Sequence, residues 1–176
     1  MRHLRNLAAS LGALTLLIGI PVVAAGQTYS VTPTYQTSVR AFDPGLPNAT
    51  YRAWGVMVGQ TTPGRWWSPH VWVQRFDHGI VCRGDQPGGE SCGNEGWSFS
   101  VGPAIEFVDT GRVIGSFVSQ VGLQSRGERD LTGGGGIHVG VRAGRFQPQA
   151  FGRVQLLRGQ SFVTLGFGVR FELRRY

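Results

Sequence analysis

Apolar and polar residues alternate through most of the chain, and the pattern is clearest at its end. In "SFVTLGFGVRFELRRY", residues 161–176, Val163, Leu165, Phe167, Val169, Phe171 and Leu173 share one parity. Thr164, Gly166, Gly168, Arg170, Glu172 and Arg174 share the other. Successive side chains of a strand point to opposite faces, so this segment is a strand with one apolar and one polar face. "TYSVTPTYQTSVRAF" behaves alike: Tyr29, Val31, Tyr35, Val39 and Ala41 oppose Ser30, Thr32, Thr34, Gln36, Ser38 and Arg40. So does "GWSFSVGPAIEFVDTG", where Trp97, Phe99, Val101, Ile105 and Phe107 oppose Ser98, Ser100, Gly102, Ala104 and Glu106.

Between these lie "ATYRAWGVMVGQ", with Trp54, Val56 and Val58 on one face, and "GIHVGVRA", with Ile137, Val139 and Val141 opposite His138, Gly140 and Arg142. "PQAFGRVQLL" adds another strand, while "HVWVQRFD" and "VIGSFVSQVGLQ" read as strands whose faces do not separate. Gly, Pro and Asp clusters such as "DPGLPN", "TTPGRWWSP" and "DTGR" divide the segments. "SRGERDLTGG" reads as a polar loop. The pattern predicts eight strands of about ten residues, the length that crosses a bilayer at a tilt. Longer loops follow the first, third and fifth, and shorter turns mostly follow the others.

Alternation alone does not say which face meets the core. A soluble lipocalin- or avidin-like barrel turns its apolar face inward, whereas a membrane barrel turns it outward into lipid. The apolar parity carries Trp97, Phe99, Phe107, Phe167 and Phe171, more bulk than an eight-stranded lumen accepts. Gly136, Gly140, Gly166 and Gly168 on the other parity are better lumen fillers. The aromatics are therefore expected outside. Arg40, Glu106, His138, Arg142, Arg170 and Glu172 are expected inside, as a charge network whose members compensate one another. Trp66, Trp67, Tyr29, Tyr51 and Trp97 are candidates for interfacial aromatic girdles.

The first residues change the cellular setting. Arg2 and Arg5 precede an almost unbroken apolar run, Leu7 to Val23, and "VVAAGQ" supplies small residues for cleavage. This predicts a signal peptide over residues 1–25 and a single exported domain over residues 26–176. Two of the 17 basic residues fall in that leader, which leaves a net charge of +5 against 10 acids. All the basic residues are arginine and none forms a run, a poor basis for nucleic-acid binding but a good one for phosphates of outer-membrane lipid and lipopolysaccharide. Loop arginines Arg83, Arg126, Arg129 and Arg158 are candidates for such contacts. Cys82 and Cys92, with nine residues between them in an exported chain, are expected to close a loop as a disulfide. That loop contains Arg83-Gly84-Asp85, an integrin-type tripeptide that assigns no role in a chain so rich in Arg and Gly.

The stretch "TGGGGIHVGVRAGRFQPQAFGRVQLL…SFVTLGFGVRF" resembles the closing hairpins of small outer-membrane β-barrels of the OmpA/OmpX and opacity-protein type. The resemblance implies an all-β fold: an eight-stranded antiparallel up-and-down transmembrane β-barrel with a periplasmic N-terminus, inserted as a monomer into the bacterial outer membrane. It further implies an insertion signal read by the outer-membrane machinery, here Gly166, Phe167, Val169 and Phe171, with Tyr176 out of phase. Such barrels serve as non-enzymatic structural or surface-loop proteins with at most a narrow pore, and no cofactor or metal site is expected. Barrels of this size that modify lipid A place a serine two residues after a histidine, and here Gly140 occupies that place after His138.

Overall fold

The computed structural model of the chain describes residues 27–41, 50–62, 64–81, 91–126, 128–157 and 160–174. They form eight strands: β1 (Thr28–Ala41), β2 (Thr50–Thr61), β3 (Trp67–Val81), β4 (Ser91–Asp109), β5 (Val113–Arg126), β6 (Glu128–Val141), β7 (Phe146–Leu157) and β8 (Gln160–Arg174). Each strand pairs antiparallel with the next, and β8 returns to β1, so the sheet closes into a barrel without a free edge. The leader, Cys82 with its expected bridge to Cys92, and Arg83-Gly84-Asp85 lie outside the described residues, while the Cys92 backbone belongs to β4.

The alternation survives folding with the expected sense. Val56, Phe117, Ile137, Val154, Leu165 and Phe167 are exposed on the outer wall. Ser30, Thr32, Thr34, Gln74, Ser100 and Thr164 are buried inside. A soluble barrel would reverse these two sets.

Three features depart from the sequence reading. The strands run to 12–19 residues, longer than a bilayer alone requires. The segment expected as a loop over 125–134 instead continues the β5–β6 hairpin, with Ser125 opposite Arg129 and Arg126 opposite Glu128. Backbone pairing needs no apolar side chain, so a ladder continues where the hydrophobic alternation stops. Finally, register shifts interrupt the strands between Ser38 and Arg40 and between Glu106 and Val108. An extra residue in one strand reverses the facing beyond it. Arg40 consequently lies opposite Val163, exposed on the outside, and is not a lumen residue.

At the end of the barrel that holds both termini, each of the three turns contains a glycine in the left-handed region: Gly64, Gly111 and Gly144. A side chain there would be strained, which explains why these turns are short and glycine-bearing.

Candidate functional site

The lumen is filled by aromatic rings and amides. In its upper part, away from the termini, Tyr51 packs between Phe76 and Phe162, with ring centroids 6.3 and 5.7 Å apart. Lower down, Trp72 meets Phe151 edge-on at 5.9 Å and His138 stacks on Phe151 at 4.7 Å. Met57 and Val118 complete that cluster. These bulky groups inside correct the expectation that glycines and charges would fill the barrel. Tyr51, a candidate girdle residue, is fully buried within it.

Register explains how the rings fit. Phe151 lies opposite Gly166, and a Cβ built on that glycine would come within 2.2 Å of the Phe151 ring. Arg153 lies opposite Gly136 in the same way, its Cγ 2.5 Å from such a Cβ. These two lumen glycines thus leave space for a large neighbour on the next strand.

Amides and hydroxyls join across the barrel. The Gln36 Nε2 donates to the Tyr51 hydroxyl at 3.2 Å, and the Thr164 hydroxyl donates to Gln36 Oε1 at 3.3 Å. Trp72 Nε1 donates to Thr34 Oγ1 at 3.1 Å. Gln120 Nε2 donates to Gln155 Oε1 at 3.2 Å, and Gln155 Nε2 to Thr132 Oγ1 at 3.0 Å. These bonds satisfy buried polar groups that would otherwise cost about 1–3 kcal/mol each.

Of the charges expected to form a lumen network, His138 is buried but faces aromatic rings. Arg170 is half-buried near the terminal end and donates to Thr61 Oγ1 at 2.8 Å. Glu106 and Glu172 are half-buried toward that same end. Arg142 is exposed at the rim, where it pairs with Asp109 at 3.4 Å, because it falls just past the end of β6. The Gly111 amide, and secondarily the Arg142 guanidinium, hold the rim carboxyl of Asp109 below its ordinary range. The charge that does occupy the middle of the lumen is Arg153, 2% exposed, with its guanidinium 4.2 Å from the centre of the Trp72 ring. Its three nitrogens have no hydrogen-bond partner among the described residues.

Arg153 escaped the sequence reading because both parities of β7 are mixed: Gln147, Gln149 and Phe151 face inward, while Ala150 and Gly152 lie on the other side. The run Gly133–Gly136 on the adjoining strand was the available signal, since it makes room for a large β7 residue. A small cavity of about 30 Å³, bordered by His70, His138, Gln149 and Arg170, lies below the Trp72 layer. No cluster of three or more His, Cys, Asp or Glu suited to a metal occurs among the described residues.

The proposed insertion residues sit on the closing strand. Phe167, Val169 and Phe171 share the outward parity, with Phe167 against Tyr35 of β1 at 5.7 Å and Phe171 against Phe146 of β7 at 5.2 Å. Gly166 points inward beneath Phe151. On the outer wall, Trp54 and Trp97 meet edge-on at 6.2 Å, and Arg75 lies over Trp54 while pairing with Glu95.

No family model matches the chain, and no curated protein matches it in sequence. Its shape does find counterparts among solved structures. The Yersinia pestis outer membrane protein Ail in a phospholipid bilayer nanodisc aligns with a TM-score of 0.53 at 14% identity, covering 83% of this chain and 99% of that one. The N-terminal β-barrel domain of Pseudomonas aeruginosa OprF aligns with a TM-score of 0.50 at 12% identity, covering 82% and 97%. A crystal structure of Ail in complex with the heparin analogue sucrose octasulfate aligns with a TM-score of 0.50 at 15% identity, covering 85% and 100%. With a closed eight-stranded meander, apolar outside and polar inside, the chain has the fold of the small outer-membrane β-barrels.

Proposed function

We propose that this protein is a non-enzymatic integral protein of the bacterial outer membrane, acting through envelope structure or its surface loops and conducting at most through a narrow path. The observation that carries this reading is the inverted wall. Leu165 and Phe167 on β8, Ile137 and Val139 on β6, and Val121 and Leu123 on β5 are all exposed and apolar. A continuous apolar girdle has a use in lipid and is a liability in water. Fifteen-residue strands leave margin to project beyond the bilayer at the end away from the termini.

The interior supports a structural role over transport. Trp72, Tyr51 and Phe162 are fully buried across the section, which leaves little room for solute passage. Among the described residues no serine is hydrogen-bonded to a buried imidazole: His138 contacts rings, and Gly140 follows it on the same face. In this reading the outer-membrane machinery recognises β8 through Gly166, Phe167, Val169 and Phe171, and the protein acts as a monomer.

Cell fractionation combined with gel mobility tests the reading. The protein is expected in the outer-membrane fraction, with unheated material migrating differently from boiled material. Recovery in the soluble periplasmic fraction with a single mobility would refute it.

A further inference from the structure

On the outer wall, toward the end away from the termini, the register sets Arg52 of β2, Asp77 of β3 and Glu95 of β4 side by side. The row directly below holds Tyr35, Trp54, Arg75 and Trp97. A depression of about 430 Å³ opens over both rows. Aromatic residues beneath charged ones mark the level where lipid chains give way to headgroups.

Within the depression, the charges fall into two kinds. Arg75 is committed to Glu95 and lies 5.8 Å from the Trp54 ring centre. Arg52 and Asp77 are different. They are exposed and directly opposite each other in the ladder, yet neither makes a hydrogen bond or ion pair among the described residues. A neighbouring cation and anion that do not pair with each other present both signs to whatever lies alongside.

We infer that this depression seats a phosphate of the outer-leaflet glycolipid together with the divalent cation that the phosphate carries. The inference rests on the outer-membrane reading, which puts the end away from the termini in the outer leaflet. Arg52 offers the planar fork that matches phosphate oxygens. Asp77 alone would repel that phosphate. A magnesium ion resolves the conflict, since such ions bind through one or two carboxylates plus phosphate oxygens and keep several waters. One arginine, one carboxylate, a doubly negative phosphate and a doubly positive ion then sum to neutrality. Trp54 and Tyr35, both exposed just below, would lie against the first part of the acyl chains.

Native mass spectrometry of the folded barrel in detergent, titrated with lipid A in magnesium or in EDTA, tests the seat. Wild type is expected to retain lipid A about tenfold more strongly in magnesium than in EDTA. Arg52→Gln is expected to weaken retention about tenfold in both conditions, the loss of a charge-assisted contact. Asp77→Asn is expected to abolish the magnesium effect and leave retention in EDTA unchanged or improved. Equal retention by all three proteins, no retention by wild type, or a magnesium effect that Asp77→Asn preserves would each overturn the seat. Each protein is first scored for heat-dependent gel mobility. A wild type without that mobility shift refutes the membrane reading instead, and if one variant fails to fold the other still decides.

Discussion

Gly166→Ala is the most incisive perturbation of the barrel interior. An added Cβ at this position would stand 2.2 Å from Cε2 and 2.4 Å from Cζ of Phe151, and 2.5 Å from the Tyr35 carbonyl oxygen. Phe151 cannot turn away freely, because Trp72 and His138 hold its ring at 5.9 and 4.7 Å. Overpacking of this kind costs about 1–3 kcal/mol. Phe151→Ala alone should cost about 3–5 kcal/mol through the cavity it leaves. In the double variant the methyl group enters vacated space, so the two losses should fall short of additivity by about 0.5–3 kcal/mol, with the Tyr35 carbonyl limiting the recovery. Urea unfolding of the four proteins in lipid vesicles, followed by gel mobility, measures this. Strict additivity, or a neutral Gly166→Ala, would show that the glycine is not there to accommodate the ring.

Two further substitutions probe the lumen charge and the wall. Arg153→Met should leave stability unchanged or raise it by about 1–4 kcal/mol, because an uncompensated buried charge costs several kcal/mol and a desolvated cation–π contact with Trp72 returns only about 2. A loss above about 2 kcal/mol in vesicle unfolding would mean that the guanidinium makes polar contacts essential to the barrel. Phe167→Arg, at a position 63% exposed on the outer wall, should cost about 2–4 kcal/mol in a bilayer and almost nothing if that wall faced water. A neutral result in the same assay would remove the support for lipid at β8.

The outer wall was legible in the sequence and the lumen was not, for a physical reason. Lipid imposes one demand on the outward positions it covers, so Leu165, Phe167, Ile137 and Val139 keep strict parity. The lumen imposes a demand that differs from place to place. A ring such as Trp72 is acceptable where its neighbours are small, so inward positions mix Gln, Gly, Phe and Arg, and β3 shows no clean alternation. Bulges hide a second part. Nothing in "TSVRAF" signals that the chain slips beside Ser38, yet that slip puts Arg40 outside. The 125–134 segment reads as a loop in the sequence because it belongs to a ladder whose side chains follow no hydrophobic alternation.

The glycines also bear on where function can reside. Pairing Gly166 with Phe151 and Gly136 with Arg153 lets the strands close over a dense interior of side chains. Density of that kind resists substitution on both strands at once, since enlarging one partner requires shrinking the other. The interior is therefore constrained by fit. Outward charges such as Arg52 and Asp77 are under no such constraint, because no packing neighbour depends on their shape. A charged pair left without a mutual contact, beside the paired Arg75 and Glu95, is open to partners outside the protein.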